Sequence, residues 1–252
     1  PKALFKDRNF VSSLALMFTI GMMMLASSAL LPPFLQNLGG HTVTQTGLLM
    51  APRGVGTMFA MMFAGRLAMR VDARLIMTVG AVLLLWSMWE MSSWTPDISS
   101  TGLIATTFVQ GIGMGLVFVP MNLVAFATLS PMFRTDGSAL INLVRNVESP
   151  IGVSLTTTVL AGSYQVVHAQ LSENATPFNR ALSVNAPSMM MNPILPFGAQ
   201  SLNGLIDYNA YVIAYANDFL FMFYACMPAL LVIWLRRRPP MLAANEKLEI
   251  SE

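Results

Sequence analysis

Six apolar stretches, each near the roughly 20 residues that a helix needs to cross a bilayer, alternate with polar turns along the chain. They cover residues 10–31, 47–68, 75–94, 101–129, 139–160 and 212–235. The fourth is long enough to tilt, or to extend beyond the hydrocarbon at one end. This pattern predicts an all-α membrane protein: one bundle of six transmembrane helices over residues 1–235, then a polar tail at 236–252. The fifth and sixth spans are separated by the one substantial outer segment, about residues 162–211. Its Pro177, Pro187, Pro193 and Pro196 argue against a continuous helix there. Residues 154–171 can nevertheless prolong the fifth helix outward, and 202–216 can lead into the sixth.

Composition reinforces the membrane reading. Hydrophobic residues make up 55% of the chain and charged residues 10%, against roughly 25% charged in a soluble domain. The net charge is +2, so a pI of about 9.0 does not imply a nucleic-acid partner. The position of the charges is more informative than their sum. Lys2, Lys6 and Arg8 precede the first span, Arg66, Arg70 and Arg74 surround the second turn, and Arg134 precedes the fifth span. Arg236, Arg237, Arg238 and Lys247 follow the last, whereas the opposite side carries only Arg180. The positive-inside rule then places both ends in the cytoplasm, with the spans in the cell inner membrane, and an even number of spans agrees. Trp86, Trp89 and Trp94 gather toward the outer end of the third span, where indole rings favour the interface. The chain opens on Pro1 rather than Met and runs almost directly into a span, so an N-terminal part is expected to be missing.

Soluble-enzyme chemistry finds no support in the residues. The single Cys226 allows neither a disulfide framework nor a cysteine metal site. His41 and His168 are distant in sequence and have no ligand spacing around them. No phosphate-binding glycine loop with Lys and Ser or Thr occurs. The expectation is a non-enzyme without cofactor or metal.

The most specific motif is the turn Gly65-Arg66-Leu67-Ala68-Met69-Arg70-Val71-Asp72-Ala73-Arg74. Alternating basic and acidic residues there can tie two helix ends by charge-assisted hydrogen bonds, and Gly65 permits close backbone approach. A plain positive-inside loop would look similar by charge alone. The spacing resembles the G-x-L-x-x-R-x-D-x-R loop of the major facilitator superfamily, which follows the second helix of each six-helix half. Further segments narrow the likeness: Leu31-Pro32-Pro33-Phe34-Leu35-Gln36, Met50-Ala51-Pro52-Arg53-Gly54, Gly111-Ile112-Gly113-Met114-Gly115 with Pro120, and Asn142-Leu143-Val144-Arg145-Asn146-Val147. Together with Asp218-Phe219 they resemble the EmrB/QacA-type fourteen-span drug:proton antiporters. The chain departs from that pattern at Glu148 and Pro150, where relatives carry small residues.

The resemblance implies one major-facilitator-type half bundle, the last six spans of a transporter whose N-terminal half is absent. It implies proton-driven multidrug export by alternating access, with the conformational-switch loop at Gly65, Arg70, Asp72 and Arg74. The implied partners are the missing half, the bilayer, small amphiphilic substrates and protons, and it raises a periplasmic adaptor as a further one. Two rivals stay open: a major facilitator carrying an endogenous metabolite or siderophore, and a membrane assembly subunit that transports nothing.

Transport-path candidates come from polar residues at bilayer depth. In the fifth span, Ser138, Asn142, Arg145, Asn146, Ser149 and Thr156 share one helical face, which should look into the bundle or a water-filled cavity. Arg145 costs roughly 2.5–3.5 kcal/mol at mid-membrane on insertion scales and so calls for a partner or an aqueous path. Glu148 is either a proton-titrating carboxylate or a counter-ion to Arg145; the adjacent guanidinium favours the counter-ion. Arg53 either lines the cavity or binds backbone carbonyls. Asn122 and Gln110 are cavity contacts or inter-helix hydrogen bonds, and Glu90 can snorkel to the interface. Gly111 and Gly115 make a small-xxx-small packing face, and Pro120 should kink the fourth span. The 21 Met residues suit a promiscuous pocket, though most are expected simply to replace Leu against lipid.

Overall fold

A computed structural model describes residues 4–68, 70–127, 129, 131–173 and 196–234, which form six long helices. They are α1 (Arg8–Pro33), α2 (Val43–Leu67), α3 (Ala73–Ser92), α4 (Ser100–Ala127), α5 (Arg134–Glu173) and α6 (Pro196–Trp234). The tail at 236–252 and Pro177, Pro187 and Pro193 lie outside the described residues.

Local chemistry sets the helix starts. Asp7 caps α1, its carboxylate accepting from the Asn9 and Phe10 amides at 2.9 and 3.2 Å. Thr42 and Gln45 form a reciprocal capping box on α2. Asp72 caps α3, with Oδ1 accepting from the Arg74 amide at 3.0 Å. At its far end α1 meets Pro32-Pro33, which cannot donate to the regular ladder, and the chain widens into a π-helical turn, Phe34–Leu38. Gly40 then turns the chain at φ 66°, a conformation that favours glycine.

α1 is the axis of the bundle and packs on α4, α5 and α6; α4 lies between α2 and α3, and α6 between α3 and α5. Glycines set the closest approaches. A β-carbon at Gly111 would meet the Arg53 carbonyl, and one at Gly115 would stand 2.6 Å from Ala60 Cβ, both on α2. Gly113 faces the other way, and a β-carbon there would lie 2.8 Å from the Gly80 carbonyl of α3. α4 is therefore packed on two sides through glycines spaced two and four apart. A β-carbon at Gly65, by contrast, meets nothing within 4 Å, so close approach does not explain that residue.

Among the described residues, five helices are long and apolar enough to cross a membrane: α1 with its π turn, α2, α3, α4 and α6. The sixth expected span lies within α5, whose 40 residues suffice in length but carry the polar face that dilutes its apolarity. α5 runs on to Glu173 and α6 begins at Pro196, so both ends of the expected outer segment are helical. The tryptophans divide: Trp86 and Trp89 are exposed, as an interfacial belt requires, while Trp94 is buried against Phe34 and Phe219. The methionines divide too, with Met22, Met23 and Met24 in the core and Met61 and Met62 exposed on α2.

Candidate transport site

One turn of α1 is held from two sides. From α5, the Glu148 carboxyl occupies the space over Gly21; a β-carbon there would lie 2.5 Å from its carboxyl atoms. From α2, Arg53 Nη2 donates to the Met24 carbonyl at 3.2 Å. The half-buried Arg53 is thus bonded to a backbone carbonyl. One turn further along α1, Ser27 accepts from Gln110 Nε2 of α4 at 3.3 Å, with both residues fully buried. Gly21, Met24 and Ser27 so form a polar track winding around α1 toward α5, α2 and α4 in turn.

Glu148 is 3% exposed, and its Oε2 has no hydrogen-bond partner among the described residues. It forms no ion pair with Arg145. Arg145 instead reaches across to α4, donating to Asn122 Oδ1 at 3.3 Å. Asn122 is oriented for this by its own amide, which donates to the Phe118 carbonyl at 2.7 Å, within the turn that contains Pro120. Two of the predicted residues therefore meet, while Glu148 makes no close ion pair with Arg145, whose charge acts on it only from a distance.

The polar face of α5 does not point into the six-helix core. Asn142, Arg145 and Asn146 are exposed, Ser138 and Ser149 are half-buried, and of the face only Thr156 is buried, bonded to the Gly152 carbonyl at 2.9 Å. The inward stripe of α5 is Gly137, Ile141, Glu148 and Gly152. Of the two readings of that face, turning inward to the bundle is excluded. An exposed guanidinium and two amides at bilayer depth suit water or another helical body, not lipid.

The sequence profile of the Major Facilitator Superfamily matches residues 1–153. The chain belongs to the Major Facilitator Superfamily. Within it the chain is similar to EmrB/QacA-type drug:proton antiporters. It is 30% identical over 178 residues to the multidrug export protein EmrB of Escherichia coli K12, covering 70% of this chain and 35% of that protein. The probable multidrug resistance protein EmrY of the same strain is 27% identical over 206 residues, covering 81% of this chain and 39% of that one. The fatty acid resistance protein FarB of Neisseria gonorrhoeae is 25% identical over 242 residues, covering 94% and 47% respectively. The chain thus spans less than half the length of these relatives. As a major facilitator it is a multi-pass membrane protein of a transporter family.

Two features of this major facilitator bundle were not among the candidates named from the sequence. Asp218 on α6 is completely buried, with neither carboxyl oxygen hydrogen-bonded among the described residues. A single acidic residue within an apolar run was the available signal. At the outer ends of α5 and α6, Asp207 accepts from Tyr164 Oη at 2.7 Å and from Asn203 at 3.0 Å, and pairs with His168 Nε2 at 3.0 Å. Tyr164 also stacks on Tyr211 with ring centroids 4.2 Å apart. The hydrogen bond to Asp207 pushes the Tyr164 phenol up to about 12.

Proposed function

We propose that the chain is the C-terminal half of a proton-coupled multidrug efflux transporter of the inner membrane, working by alternating access. In this reading both ends of the segment lie in the cytoplasm, and the missing half packs against the exposed faces of α2 and α5. The carrying observation is the polar face of α5: Asn142, Arg145 and Asn146 lie exposed at bilayer depth beside the buried Glu148. A pathway between two half-bundles would give those side chains water and would let a flexible amphiphile pass. The turn at Gly65, Arg70, Asp72 and Arg74 would re-form its charge contacts as the halves rock. Glu148, buried and without a close ion pair to Arg145, takes the titrating role in this reading. The similarity to multidrug export proteins supplies the cargo class.

The test is efflux from cells expressing the whole gene, with a fluorescent lipophilic cation as cargo and the proton gradient imposed or collapsed. Gradient-dependent efflux above that of vector-only cells is expected, and its absence would sink the exporter reading. The likeness to a fatty acid resistance protein over 94% of the chain favours a second cargo, amphiphilic acids. Running long-chain fatty acids beside the cation in the same assay separates the two. An adaptor spanning the periplasm would show as efflux that needs a second gene product.

A further inference from the structure

Asp218 stands apart from the polar track around α1. It lies eight residues along α6 from Cys226, which lines a narrow apolar cleft with Ile20 and Met24 of α1. At 1.5 Å per residue that is about 12 Å nearer the end of the bundle opposite the basic turns. Glu148, against Gly21, is at the level of Cys226; the two carboxyls are staggered across the bilayer.

Asp218 is fully buried, and an aromatic cluster lies beside it along α6. Phe34, from the π-helical turn, lies with its ring centroid 5.4 Å from Tyr215, 6.4 Å from Phe219 and 6.2 Å from Trp94. Phe219 and Trp94 are 6.4 Å apart. Asp218 sits between Tyr215 and Phe219 in sequence and is 0% exposed, with both oxygens unpartnered. Trp94 Nε1, on the same cluster, is a buried donor that also has no hydrogen-bond partner among the described residues. A buried carboxyl and a buried indole N–H that are both unsatisfied among the described residues call for a physical reason, and a second state in which water reaches them supplies one.

The charged and titratable groups of the neighbouring elements do not neutralise Asp218. α1 carries only Arg8, at its start, and the π-helical turn none. α3 carries Arg74 at its start and the half-exposed Glu90. α5 carries Arg145 and Glu148 at the depth of α1, Tyr164 and His168 engaged with Asp207, and Arg134, Asp136 and Glu173 at its ends. On α6 itself are Asp207, Tyr208, Tyr211, Tyr215, Tyr224 and Cys226. None forms a hydrogen bond or ion pair with Asp218 among the described residues.

We propose that Asp218 is a proton-carrying carboxyl of this half, protonated while the Phe34–Trp94–Tyr215–Phe219 cluster is closed over it and ionised when the cluster opens. The inference rests on the transporter reading and names a residue for its proton step. On opening, the carboxyl O–H breaks and the proton passes to water. On reclosing, a proton taken from water re-forms that bond, so the step is an acid–base exchange without redox chemistry. Bare ionised carboxylate is excluded from the closed state because nothing there replaces its hydration.

The experiment uses the full-length transporter in liposomes, with a lipophilic cation as probe. Asp218→Asn should lose accumulation driven by a pH gradient and show a flat pH profile, yet keep downhill exchange of the cation; Asp218→Glu should restore driven transport. An Asp218→Asn protein that couples to the gradient with the wild-type pH profile overturns the proposal. Because the variant can fail to insert, the wild-type protein is also treated with a hydrophobic carbodiimide, which modifies protonated carboxyls in apolar surroundings. Modification of Asp218, read by peptide mass and declining as pH rises, supports the assignment; absence of modification at every pH overturns it. A wild-type protein indifferent to the gradient defeats the efflux reading instead, and the carbodiimide result then decides Asp218 alone.

Discussion

A carboxyl group fills the place over Gly21 that a β-carbon would claim, so the smallest side chain of α1 and the one buried acid of α5 are sterically matched. Gly21→Ala should therefore destabilise the bundle by about 1–3 kcal/mol, the usual range for overpacking a core. Adding Glu148→Ala should recover most of that loss, as thermal unfolding in detergent would reveal. A double variant no more stable than Gly21→Ala would separate the two residues. Arg53 presents a different balance. Its guanidinium gives Met24 a hydrogen bond, but Ser28 Oγ donates to the same carbonyl at 2.8 Å, so no acceptor is orphaned if Arg53 is lost. The bond contributes ~1.5–3 kcal/mol at most, while burying the cation at bilayer depth costs roughly 2.5–3.5 kcal/mol. Arg53→Met is thus expected to insert and melt like the parent protein while losing efflux. Unimpaired efflux would make Arg53 a packing residue only.

The packing of α4 on α2 and α3 works through bare backbone, which makes it brittle. Gly111→Ala pushes a methyl group into the Arg53 carbonyl and should weaken the α2–α4 contact by about 1–3 kcal/mol. Gly65→Ala, facing open space, should leave the melting temperature unchanged. If that variant nevertheless lost transport, the requirement for glycine would belong to another conformational state. The outer ends of α5 and α6 depend on side chains instead, centred on Asp207. Asp207→Ala removes three partners at once and should raise amide exchange in the last two turns of α5 without moving the core. The Tyr164 link has a defined pH sense. With the phenol raised from 10.0 to about 12, its contribution is complete below about 10 and disappears as pH rises through about 12. Much of this was legible beforehand, since apolar windows and Gly111-x-x-x-Gly115 carry their own periodicity. The Asp207 cluster was not, because His168, Tyr164 and Asp207 become neighbours only after two helices have docked.

At the scale of the whole molecule, the surface tells which sides of the bundle meet lipid. The six-span pattern and the Gly65–Arg74 turn announced the architecture, since bilayer thickness and charge asymmetry act on local sequence. The environments of Glu148 and Asp218 were hidden, because each depends on which neighbour lies close: Gly21 for one, an aromatic cluster drawn from the π-helical turn, the segment after α3 and α6 for the other. α5 itself exposes two unlike faces at similar depth. Leu143, Val147 and Ile151 are 57%, 42% and 43% exposed and form an apolar strip, whereas Asn142, Arg145 and Asn146 form the polar one, turned about two-fifths of the circumference away. If a second half-bundle, as proposed, completes an aqueous pathway over the polar strip, single cysteines introduced there will report it. In a full-length transporter with its other cysteines replaced, Asn142→Cys and Asn146→Cys should react with a charged, membrane-impermeant methanethiosulfonate, and saturating substrate should slow the reaction. Leu143→Cys and Val147→Cys, equally exposed in this half, should stay unreactive because hydrocarbon excludes the charged reagent. Equal reactivity of the two strips would mean that α5 is wetted all round, and failure of both polar positions would place that strip in a dry interface between halves. Either result would remove the polar face of α5 from the transport path and leave Arg145 and Asn122 as a structural tie between α4 and α5.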